Sequence, residues 1–339
     1  MRGPHNIWRL IRTGATLERT GAMNVVLDAF DATPALRFVA KALGKPFKFL
    51  GYAGDPSMPP ATRALTALGP AYIKFGQVLS TRPDVVGDEL AVQLRVLQDK
   101  LPPFSIEQAK AEVEKELGLP VDAIFSDFSA PVAAASIAQV HRARLLDGTE
   151  VVVKVQRPHL EQSIHTDLDL LLLIAEQLED RVPEVKQFKP VASVEEFSRS
   201  LKRETDFDNE LKNIERFRQQ FSDQPRLHLP YTYPSHSSRR VLTMEFIDGC
   251  KVTDKAQLDA WQVSGGEVAE LGTSLVIEAI FEHGFFHADP HPGNFFVLRD
   301  GRLALIDFGM MGTLDRDRID DLLTFLASIP RLRHLQDGG

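Results

Sequence analysis

Apolar residues in the first third of the chain recur with the period of an α-helix. The pattern is clearest between residues 61 and 80, where it is interrupted at Gly69-Pro70. Before it, residues 51–60 are rich in glycine and proline, a composition typical of a linker. The chain is therefore predicted to begin with a helical extension and linker, over residues 1–60, that lead into a helical segment at 61–120.

Two further helices of this segment are predicted from their capping residues. Asp88 is a candidate cap for a helix that runs to about Lys100. Ser105 and Gln108 are spaced as a capping box, in which each side chain bonds the backbone N–H of the other residue. The helix that they start should end near Gly118. The first part of the chain therefore reads as helices joined by short loops.

Beyond residue 120 the hydrophobic period changes. Residues 138–145 and 150–156 are predicted to form a β-hairpin around the turn Asp147-Gly148, and Val151-Val152-Val153 has a strong strand preference. Further helices are predicted at about 160–179, 194–221, 264–283 and 316–327, and further strands at 241–246 and on both sides of Asp300-Gly301 within residues 285–312. This order of elements predicts an α+β fold rather than a doubly wound parallel sheet.

The composition disfavours several classes of protein. Hydrophobic residues make up 43% and charged residues 25% of the 339 residues, which are ordinary proportions for a globular protein. The net charge of −8 disfavours a nucleic-acid-binding protein, which would normally be basic. Cys250 is the only cysteine, so an intrachain disulfide and a cysteine-based zinc site are excluded. No apolar run reaches the ~18–20 residues that cross a bilayer.

The most informative segment runs from His287 to Asn294 and is followed by Asp307-Phe308-Gly309. Three interpretations compete. His287 and His291 have the spacing of two metal ligands on one helical face, but two nearby prolines disfavour a continuous helix. The D-F-G tripeptide alone would be an ordinary turn at the end of a strand. Taken together, H-x-D-x-x-x-x-N and D-F-G resemble the catalytic loop and metal-binding loop of a protein kinase, and the joint match is far more specific than either half.

The chemistry of phosphoryl transfer explains why these residue types are needed. A carboxylate beside the incoming nucleophile is supplied by Asp289. Oxygen ligands for Mg²⁺, which neutralises phosphate oxygens, are supplied by Asn294 and Asp307. The sequence therefore predicts Asp289 as a catalytic residue and the other two as metal ligands.

A kinase-like protein also needs a phosphate-binding lysine, an acidic partner for it, and a strand that contacts adenine. Lys154 ends an apolar strand and is the predicted lysine, although such a lysine is as often a solvated edge residue. Glu210 is its predicted partner, with a solvated acidic helix face as the alternative. Glu245 and Ile247 lie in the predicted adenine-binding linker.

One element of an orthodox kinase is missing. A glycine-rich loop should precede Lys154, yet residues 133–136 read Ala-Ala-Ala-Ser. Neither G-x-G-x-x-G nor a Walker A motif occurs anywhere in the chain. Because alanine resists positive φ, this backbone is not expected to wrap phosphates as a glycine loop does. The sequence therefore predicts an atypical kinase.

These features together resemble the UbiB-type atypical kinases. The resemblance rests on Lys74-Phe75-Gly76-Gln77, the alanine-rich loop and Glu204-Thr205-Asp206, in addition to the kinase-like residues, and it extends from about residue 61 to 312. It implies that the helix with the K-x-G-Q motif folds over the active site, with Lys74 and Gln77 near Glu204 and Asp206. It also implies that the nucleotide is covered by Ala133, Ala134, Ala135 and Ser136. Glu210 has the family's spacing from E-x-D for the partner of the lysine.

The resemblance sets expectations for the fold. It implies a two-lobed, protein-kinase-like fold with an N-terminal helical extension that carries the K-x-G-Q motif. The N-lobe, with inserted helices, is expected at residues 121–248 and a partial C-lobe at 249–339. Only 30 residues follow Gly309, so the C-lobe is expected to be shortened relative to other family members.

The activity implied by the resemblance is ATP- and Mg²⁺-dependent phosphoryl transfer or ATP hydrolysis that supports ubiquinone biosynthesis. The alternative is a nucleotide-regulated scaffold or chaperone of lipid-biosynthetic enzymes without productive phosphoryl transfer. The expected partners are ATP, quinone-precursor lipids, quinone-biosynthesis enzymes and a membrane surface, with no nucleic acid. The expected location is the cytoplasm or the periphery of the bacterial inner membrane, or the mitochondrion in a eukaryote.

Overall fold

A computed structural model describes residues 3–29, 37, 45–97, 101–181 and 183–328 of the chain. The chain divides into two compact units, each built from three segments of the sequence. The first unit consists of Met1–Lys115, Ser129–His141 and Lys154–Thr205, and the second of Glu116–Phe128, Arg142–Val153 and Asp206–Gly339. Residues that are distant in sequence are therefore neighbours within each unit.

Helices dominate the first unit. A 3-10 helix at Lys45–Leu50 and an irregular stretch after it separate the two N-terminal helices from the rest, where the glycine- and proline-rich linker was predicted. None of the helices in the described ranges combines the length and apolar character that a membrane crossing requires. The helices that lie wholly or mostly in this unit are α1 (Gly3–Thr20), α2 (Ala22–Ala29), α3 (Pro60–Leu68), α4 (Pro70–Ser80), α5 (Pro83–Val86), α6 (Asp88–Arg95), α7 (Ile106–Leu117), α8 (Leu160–Arg181) and α9 (Pro190–Glu204).

The second unit combines helices with short strands. Its helices are α10 (Phe207–Gln220), α11 (Lys255–Ala260), α12 (Gly265–Phe281) and α13 (Arg316–Ser328). Three strands, β1 (Phe125–Ala134), β2 (Ala138–Leu145) and β3 (Glu150–Gln156), have residues in both units. The remaining strands are β4 (Leu227–His228), β5 (Val241–Glu245), β6 (Gly249–Lys251), β7 (Phe285–His287), β8 (Phe295–Leu298), β9 (Leu303–Leu305) and β10 (Met311–Thr313).

The strand order brings the two kinase-like motifs together. The sheets have the orders β1-β2-β3-β5, β4-β9-β8-β6 and β10-β7. β8 and β9 are antiparallel, with Phe295 opposite Leu305, and β10 runs antiparallel to β7, with Met311 opposite His287. Because the segment between the motifs folds back as a hairpin, the start of the H-x-D loop and the end of the D-F-G loop are paired.

Local sequence signals predicted several elements correctly. α7 begins at the capping box, where Gln108 N donates to Ser105 Oγ and Ser105 N donates to Gln108 Oε1, both at 3.2 Å. The hairpin of β2 and β3 turns at Asp147 and Gly148, and Gly148 has a φ of 90°. Thr149 N donates to Asp147 Oδ1 at 2.9 Å in this turn. These contacts join near neighbours in sequence, which is why the sequence pattern predicts them.

The single helix predicted at residues 194–221 is wrong. The structure has two helices, α9 and α10, separated at Thr205-Asp206. The Asp206 carboxylate accepts a hydrogen bond from Asp208 N at 3.1 Å and caps α10. The Thr205 carbonyl accepts one from Gln156 Nε2 at 2.6 Å. Since helical periodicity is present on both sides of the break, the apolar pattern alone did not reveal it.

Two other local predictions need correction. Asp88 is the first residue of α6, because Gly87 occupies the cap position with a φ of 79°. α6 ends at Arg95, and its predicted end near Lys100 lies outside the described residues. Residues 285–312 contain four strands instead of two. The additional strands, β7 and β10, have three residues each, which is too short for alternation to be recognised.

The N-terminal helix α1 approaches the linker very closely at Gly51. A Cβ atom at Gly51 would lie within 3.0 Å of the backbone of Ala15 and Thr16. Thr16 Oγ1 accepts a hydrogen bond from Tyr52 N at 3.0 Å, and Arg19 Nη1 donates to Gly51 O at 2.7 Å. A glycine is required at this position because the two backbones leave no space for a side chain.

We predict that Gly51→Ala lowers the free energy of unfolding by about 1–3 kcal/mol, because the two backbones must separate to admit a methyl group. Gly14 lies in the interior of α1 with open space around it and provides the matched control. Gly14→Ala should leave stability unchanged or raise it by up to about 1 kcal/mol through helix propensity. Urea unfolding of both variants measures the difference, and equal effects would contradict the close approach.

Candidate active site

The two units divide the predicted site residues between them. The first unit contains the gate residues Lys74, Gln77 and Glu204, the loop Ala133, Ala134, Ala135 and Ser136, and Lys154. The second unit contains Asp206, Glu210, Glu245, Ile247, Asp289, Asn294 and Asp307. The residues of the H-x-D-x-x-x-x-N and D-F-G motifs therefore belong to one compact unit, together with Glu210.

Backbone hydrogen bonds hold the loop that carries Asp289. Where the loop leaves β7, Ala288 N donates to Met310 O at 2.9 Å. His291 N then donates to Asp289 O at 2.7 Å, and Asn294 N donates to His291 O at 2.9 Å. The loop ends in one 3-10 turn rather than a continuous α-helix, as its prolines predicted. The side chain of Asp289 is exposed on this fixed loop.

His287 is buried and bridges the two motifs. Its Nε2 lies 2.8 Å from Asp307 O, and its Nδ1 accepts a hydrogen bond from Asp289 N at 3.0 Å. Because a carbonyl oxygen only accepts, Nε2 must carry the hydrogen, and the ring is the neutral Nε2–H tautomer. Both ring nitrogens are thus used, which argues against His287 as a metal ligand. The described residues also contain no cluster of three or more His, Cys, Asp or Glu side chains suited to a metal.

The hairpin of β8 and β9 places the two predicted metal ligands side by side. Ile306 N donates to Asn294 O at 3.0 Å, and Asp307 is the next residue along the chain. The side chain of Asn294 is also tied to the loop, because its Nδ2 donates to Asp289 O at 3.3 Å. Asp289, Asn294 and Asp307 are therefore linked through a short network of hydrogen bonds within one unit.

Helix α10 binds the backbone of the D-F-G segment. Glu210 Oε1 accepts a hydrogen bond from Phe308 N at 3.4 Å, and Asn213 Nδ2 donates to Phe308 O at 2.9 Å. Phe308 is fully buried, and Glu210 is 2% exposed. Glu210 is thus not on a solvated acidic face, which was the alternative to its predicted role. Its pairing with Lys154 stays a prediction.

Sequence reasoning missed Asn213 and the bridging role of His287. Asn213 lies one helical turn after Glu210, and residues three apart share a helix face. That spacing would have identified Asn213 once Glu210 was placed against the D-F-G segment. The spacing of His287 from His291 raised a metal ligand, which the nearby prolines disfavoured, and nothing in the H-x-D motif indicated a hydrogen-bonding bridge. Both contacts connect residues that are far apart in sequence, so no local pattern reveals them.

The predicted adenine-binding strand is β5, and Glu245 at its end is engaged in the fold. The Glu245 carboxylate accepts hydrogen bonds from His228 Nε2 and from Tyr231 N, both at 3.0 Å. Burial by itself would raise the pKa of Glu245, but these hydrogen bonds lower it. Because the carboxylate is already engaged, we expect any contact between Glu245 and an adenine base to be made by the backbone carbonyl of Glu245. In the linker that follows, Ile247 O accepts a hydrogen bond from Gly249 N at 3.1 Å.

In the first unit, the alanine-rich segment spans the end of β1, at Ala133 and Ala134, and the tight turn to β2 that begins at Ala135 and Ser136. Ala135 N donates to Ala138 O at 2.8 Å, and the guanidinium group of Arg157 donates two hydrogen bonds to Ala135 O, at 2.8 and 3.1 Å. Residues 133–136 have no positive φ, in agreement with the expectation for alanine. Lys154 lies in β3 and is half-buried rather than fully exposed at an edge.

Lys74 and Glu204 form an ion pair in the same unit. Lys74 Nζ lies 2.5 Å from Glu204 Oε1, and the two side chains are 15% and 13% exposed. The neighbouring Phe75 packs against Phe197 of α9, with ring centroids 5.2 Å apart. A charge pair and a ring contact therefore join helices α4 and α9.

The remaining members of the two family motifs have different surroundings. A Cβ atom at Gly76 would lie within 3.0 Å of side-chain atoms of Leu65 and Leu97, so the glycine allows close packing. Gln77 is half-buried, and its carbonyl accepts a hydrogen bond from Ser80 Oγ at 2.7 Å. Asp206 caps α10 in the second unit and lies 3.4 Å from Arg239 Nε. The predicted nearness of Gln77 and Asp206 to the other gate residues stays a prediction.

Comparisons with known proteins agree with these features. A family model described as the ABC1 atypical kinase-like domain matches residues 96–333. Two proteins described as "Probable protein kinase UbiB", from Marinobacter nauticus and Shewanella piezotolerans, are 42% and 41% identical to the chain over 259 and 275 residues. The chain belongs to the UbiB-type, or ABC1, family of atypical kinase-like proteins.

The UbiB-type chain is shorter than these relatives. The alignment covers 75% of the chain and 47% of the Marinobacter protein, and 79% of the chain and 50% of the Shewanella protein. An uncharacterized protein of Synechocystis is 44% identical over 252 residues, which is 74% of the chain and 44% of that protein. The chain thus spans about half the length of the curated relatives it matches.

A solved structure supports the fold of this UbiB-type protein. Rv3197 from Mycobacterium tuberculosis, determined in complex with erythromycin, has 31% sequence identity to the chain and a TM-score of 0.53. The match covers 70% of this chain and 60% of that chain. Together with the family match, it confirms the predicted α+β, kinase-like fold, and the predicted family is confirmed as well.

We expect the Lys74–Glu204 pair to be energetically coupled. Lys74→Ala and Glu204→Ala should each lower the free energy of unfolding, because each leaves a partly buried charge without its partner. The double variant should lose less than the sum of the two, by about 0.5–3 kcal/mol. Urea unfolding of the four proteins of this double-mutant cycle gives the coupling energy.

Lys202 supplies a matched control for this cycle. It is exposed and lies two residues before Glu204, and side chains two apart on a helix do not face each other. A cycle between Lys202→Ala and Glu204→Ala should be additive within about 0.5 kcal/mol. If the Lys74 cycle is additive too, the ion pair does not contribute to joining α4 and α9.

Proposed function

We propose that this UbiB-type protein is an ATP- and Mg²⁺-dependent kinase or ATPase. The observation that carries the proposal is the network that links Asp289, Asn294 and Asp307 in the second unit. Phosphoryl transfer depends on positioning and on charge stabilisation, so it requires a nucleophile-orienting carboxylate and metal ligands that are held as one piece. The descriptions of the relatives as probable protein kinases agree with this proposal.

The side chains of Asn294 and Asp307 fit a magnesium ion. Asn294 Nδ2 is engaged with Asp289 O, so its Oδ1 is the atom that would bind the metal. Asp307 offers a carboxylate, of which Oδ1 also accepts a hydrogen bond from Gly309 N at 3.1 Å. Mg²⁺ prefers such oxygen ligands and usually keeps several waters beside one or two carboxylates. When bound, it would neutralise charge on the phosphate oxygens.

Asp289 is the residue that we assign to proton transfer. Its backbone N–H is fixed on His287, and its carboxylate is exposed at the surface of the unit. A carboxylate in this position can accept the proton of an attacking hydroxyl group or water as its oxygen bonds the γ-phosphorus of ATP and the bond from that phosphorus to the leaving ADP oxygen breaks. His287 is not suited to this role, because both of its nitrogens already make hydrogen bonds within the fold.

The remaining nucleotide contacts are assigned from the sequence motifs. Lys154 would bind the α- and β-phosphates with Glu210 as its partner, and the alanine-rich segment at 133–136 would cover the nucleotide. The backbone of Glu245 and Ile247 would contact adenine. The half-buried position of Lys154 and the burial of Glu210 favour these roles over that of solvated surface residues.

The proposed biological role is support of ubiquinone biosynthesis. It rests on the relatives that are described as UbiB and on the shared motifs. The partners that we propose are quinone-precursor lipids and the enzymes that process them, at the cytoplasmic side or the periphery of the inner membrane. ATP turnover of the purified protein, with and without vesicles that contain a quinone-precursor lipid, is the first test. Tight nucleotide binding without any turnover would instead support a nucleotide-regulated scaffold.

The metal assignment predicts a selective defect in Asp307→Asn. The variant should bind ATP in the presence of Mg²⁺ at least about tenfold more weakly than the unaltered protein, because a charge-assisted metal contact is lost. Binding without metal should change much less. Asp321→Asn, which removes an exposed carboxylate in the same unit, should bind Mg²⁺-ATP like the unaltered protein. Isothermal titration with and without Mg²⁺ measures both; equal Mg²⁺-ATP affinities for all three proteins would refute the assignment.

The assignment of Asp289 predicts a defect in turnover without a defect in nucleotide binding, in contrast to Asp307→Asn. Asp289→Asn should lower turnover by about 10²–10⁴-fold, because the group acts in the transition state. Its affinity for Mg²⁺-ATP should stay close to that of the unaltered protein. Steady-state turnover and nucleotide titration of the same preparation test this. A collapse of affinity would show that Asp289 is instead a metal ligand or a structural residue.

A further inference from the structure

The first peptide group of the D-F-G segment has both polar atoms bound. Its carbonyl, on Asp307, accepts a hydrogen bond from His287 Nε2 at 2.8 Å. Its N–H, on Phe308, donates to Glu210 Oε1 at 3.4 Å. The second of these bonds is at the long end of the range for N–H···O, where about 2.9–3.0 Å is typical. Of the two contacts at this peptide group, the one with Glu210 is therefore the longer.

The second peptide group is bound in the same way but more tightly. The Phe308 carbonyl accepts a hydrogen bond from Asn213 Nδ2 at 2.9 Å, and Gly309 N donates to Asp307 Oδ1 at 3.1 Å. The hydrogen bond from Asn213 has the typical length, and it comes from α10 rather than from the D-F-G segment itself. The hydrogen bond from Asn213 is thus shorter than the one to Glu210, and both join the D-F-G backbone to α10.

The helix that carries Asn213 is itself anchored. Two residues further along, the Glu215 carboxylate accepts a hydrogen bond from Thr232 Oγ1. On the buried side, the ring of Phe217 contacts the ring of Phe308 edge-on, with centroids 5.5 Å apart. Phe308 is therefore fixed to α10 through both its backbone and its side chain, and α10 is fixed to the segment around Thr232.

We propose that Asn213 is a positioning residue that holds Asp307 in the orientation for metal binding. Without its amide, the carbonyl of the peptide group between Phe308 and Gly309 loses the hydrogen bond that orients this group, and the group can rotate. Rotation would break the hydrogen bond from Gly309 N to the Asp307 carboxylate and turn that carboxylate away from Asn294. This inference rests on the proposed function, because it assigns Asp307 to the metal.

The isosteric variant N213D tests the inference, since it keeps the shape of the side chain and replaces the N–H donor with an oxygen, while N213A removes the donor without adding a carboxyl group. N213D and N213A should need about five- to 100-fold more Mg²⁺ for half-maximal ATP turnover. Their nucleotide affinity without metal should stay within about two-fold of the unaltered protein. Lys212→Ala, an exposed neighbour on the same helix, is the control and should change neither quantity.

A pH profile separates positioning from a general loss of structure. The introduced carboxyl group of N213D would lie against a carbonyl oxygen, which favours its protonated form, and a protonated acid can donate the missing hydrogen bond. The Mg²⁺ defect of N213D should therefore shrink between about pH 8 and about pH 6, relative to the unaltered protein. The defect of N213A should not shrink, because alanine has no group to protonate. A parallel response of the two variants would overturn the inference.

Hydrogen exchange provides a readout that does not depend on activity. In the protein without ligand, the amides of residues 306–311 should exchange faster in N213D and N213A than in the unaltered protein or in Lys212→Ala. Unchanged exchange in that segment would overturn the inference, and so would faster exchange with an unchanged Mg²⁺ requirement. If the unaltered protein has no Mg²⁺-dependent turnover or binding at all, the proposed function fails. The exchange result then still tests whether Asn213 holds the D-F-G backbone in place.

Discussion

The backbone at the centre of the D-F-G segment is buried at Phe308, and its polar groups have to find partners inside the protein. Phe308 is fully buried, and a buried donor or acceptor without a partner costs about 1–3 kcal/mol. The partners come from three places: His287 at the end of β7, Glu210 and Asn213 on α10, and the Asp307 carboxylate itself. The H-x-D loop, the D-F-G loop and α10 therefore cannot shift independently. The candidate chemistry of the second unit depends on this shared backbone more than on any direct contact between its carboxylates.

The need to pair buried polar groups also explains how the residues of the H-x-D loop differ from one another. His287 has to donate to one motif and accept from the other, which fixes its tautomer and keeps the ring out of the chemistry. Asp289 has its backbone bound and its carboxylate exposed, so it is the group of this loop that is both oriented and accessible. Asn294 uses its amide nitrogen to hold the loop and keeps an oxygen for a ligand. The hydrogen bonds of this loop thus distinguish a structural histidine from the two residues that we propose as the catalytic carboxylate and a metal ligand.

The parts of the fold that the sequence predicted are those that local contacts decide. The capping box at Ser105 and Gln108 joins residues three apart, and the hairpin turn at Gly148 needs a positive φ that glycine readily adopts. The bond from Asn213 to Phe308 joins residues 95 apart, and no periodicity carries that information. The helix break before Asp206 falls between these cases, because an aspartate inside an amphipathic pattern can be either a surface residue or a cap. The motifs identified the family from the sequence, whereas the hydrogen bonds that position the motif residues are visible only in the folded structure.

In the first unit, the K-x-G-Q segment shows how charge and packing can specify the same arrangement. The ion pair of Lys74 with Glu204 is mostly buried, so the cost of desolvation offsets much of its attraction, while its geometry favours one orientation of α4 relative to α9. Gly76 is packed where a methyl group would meet Leu65 and Leu97. A rotation of α4 that separated Lys74 from Glu204 would also move Gly76 out of this close contact. The ion pair and the close packing at Gly76 lie on different faces of one helix, so only one rotation of α4 satisfies both. An exchange of Lys74 for an apolar residue would preserve burial at this position but would lose the preference for that rotation.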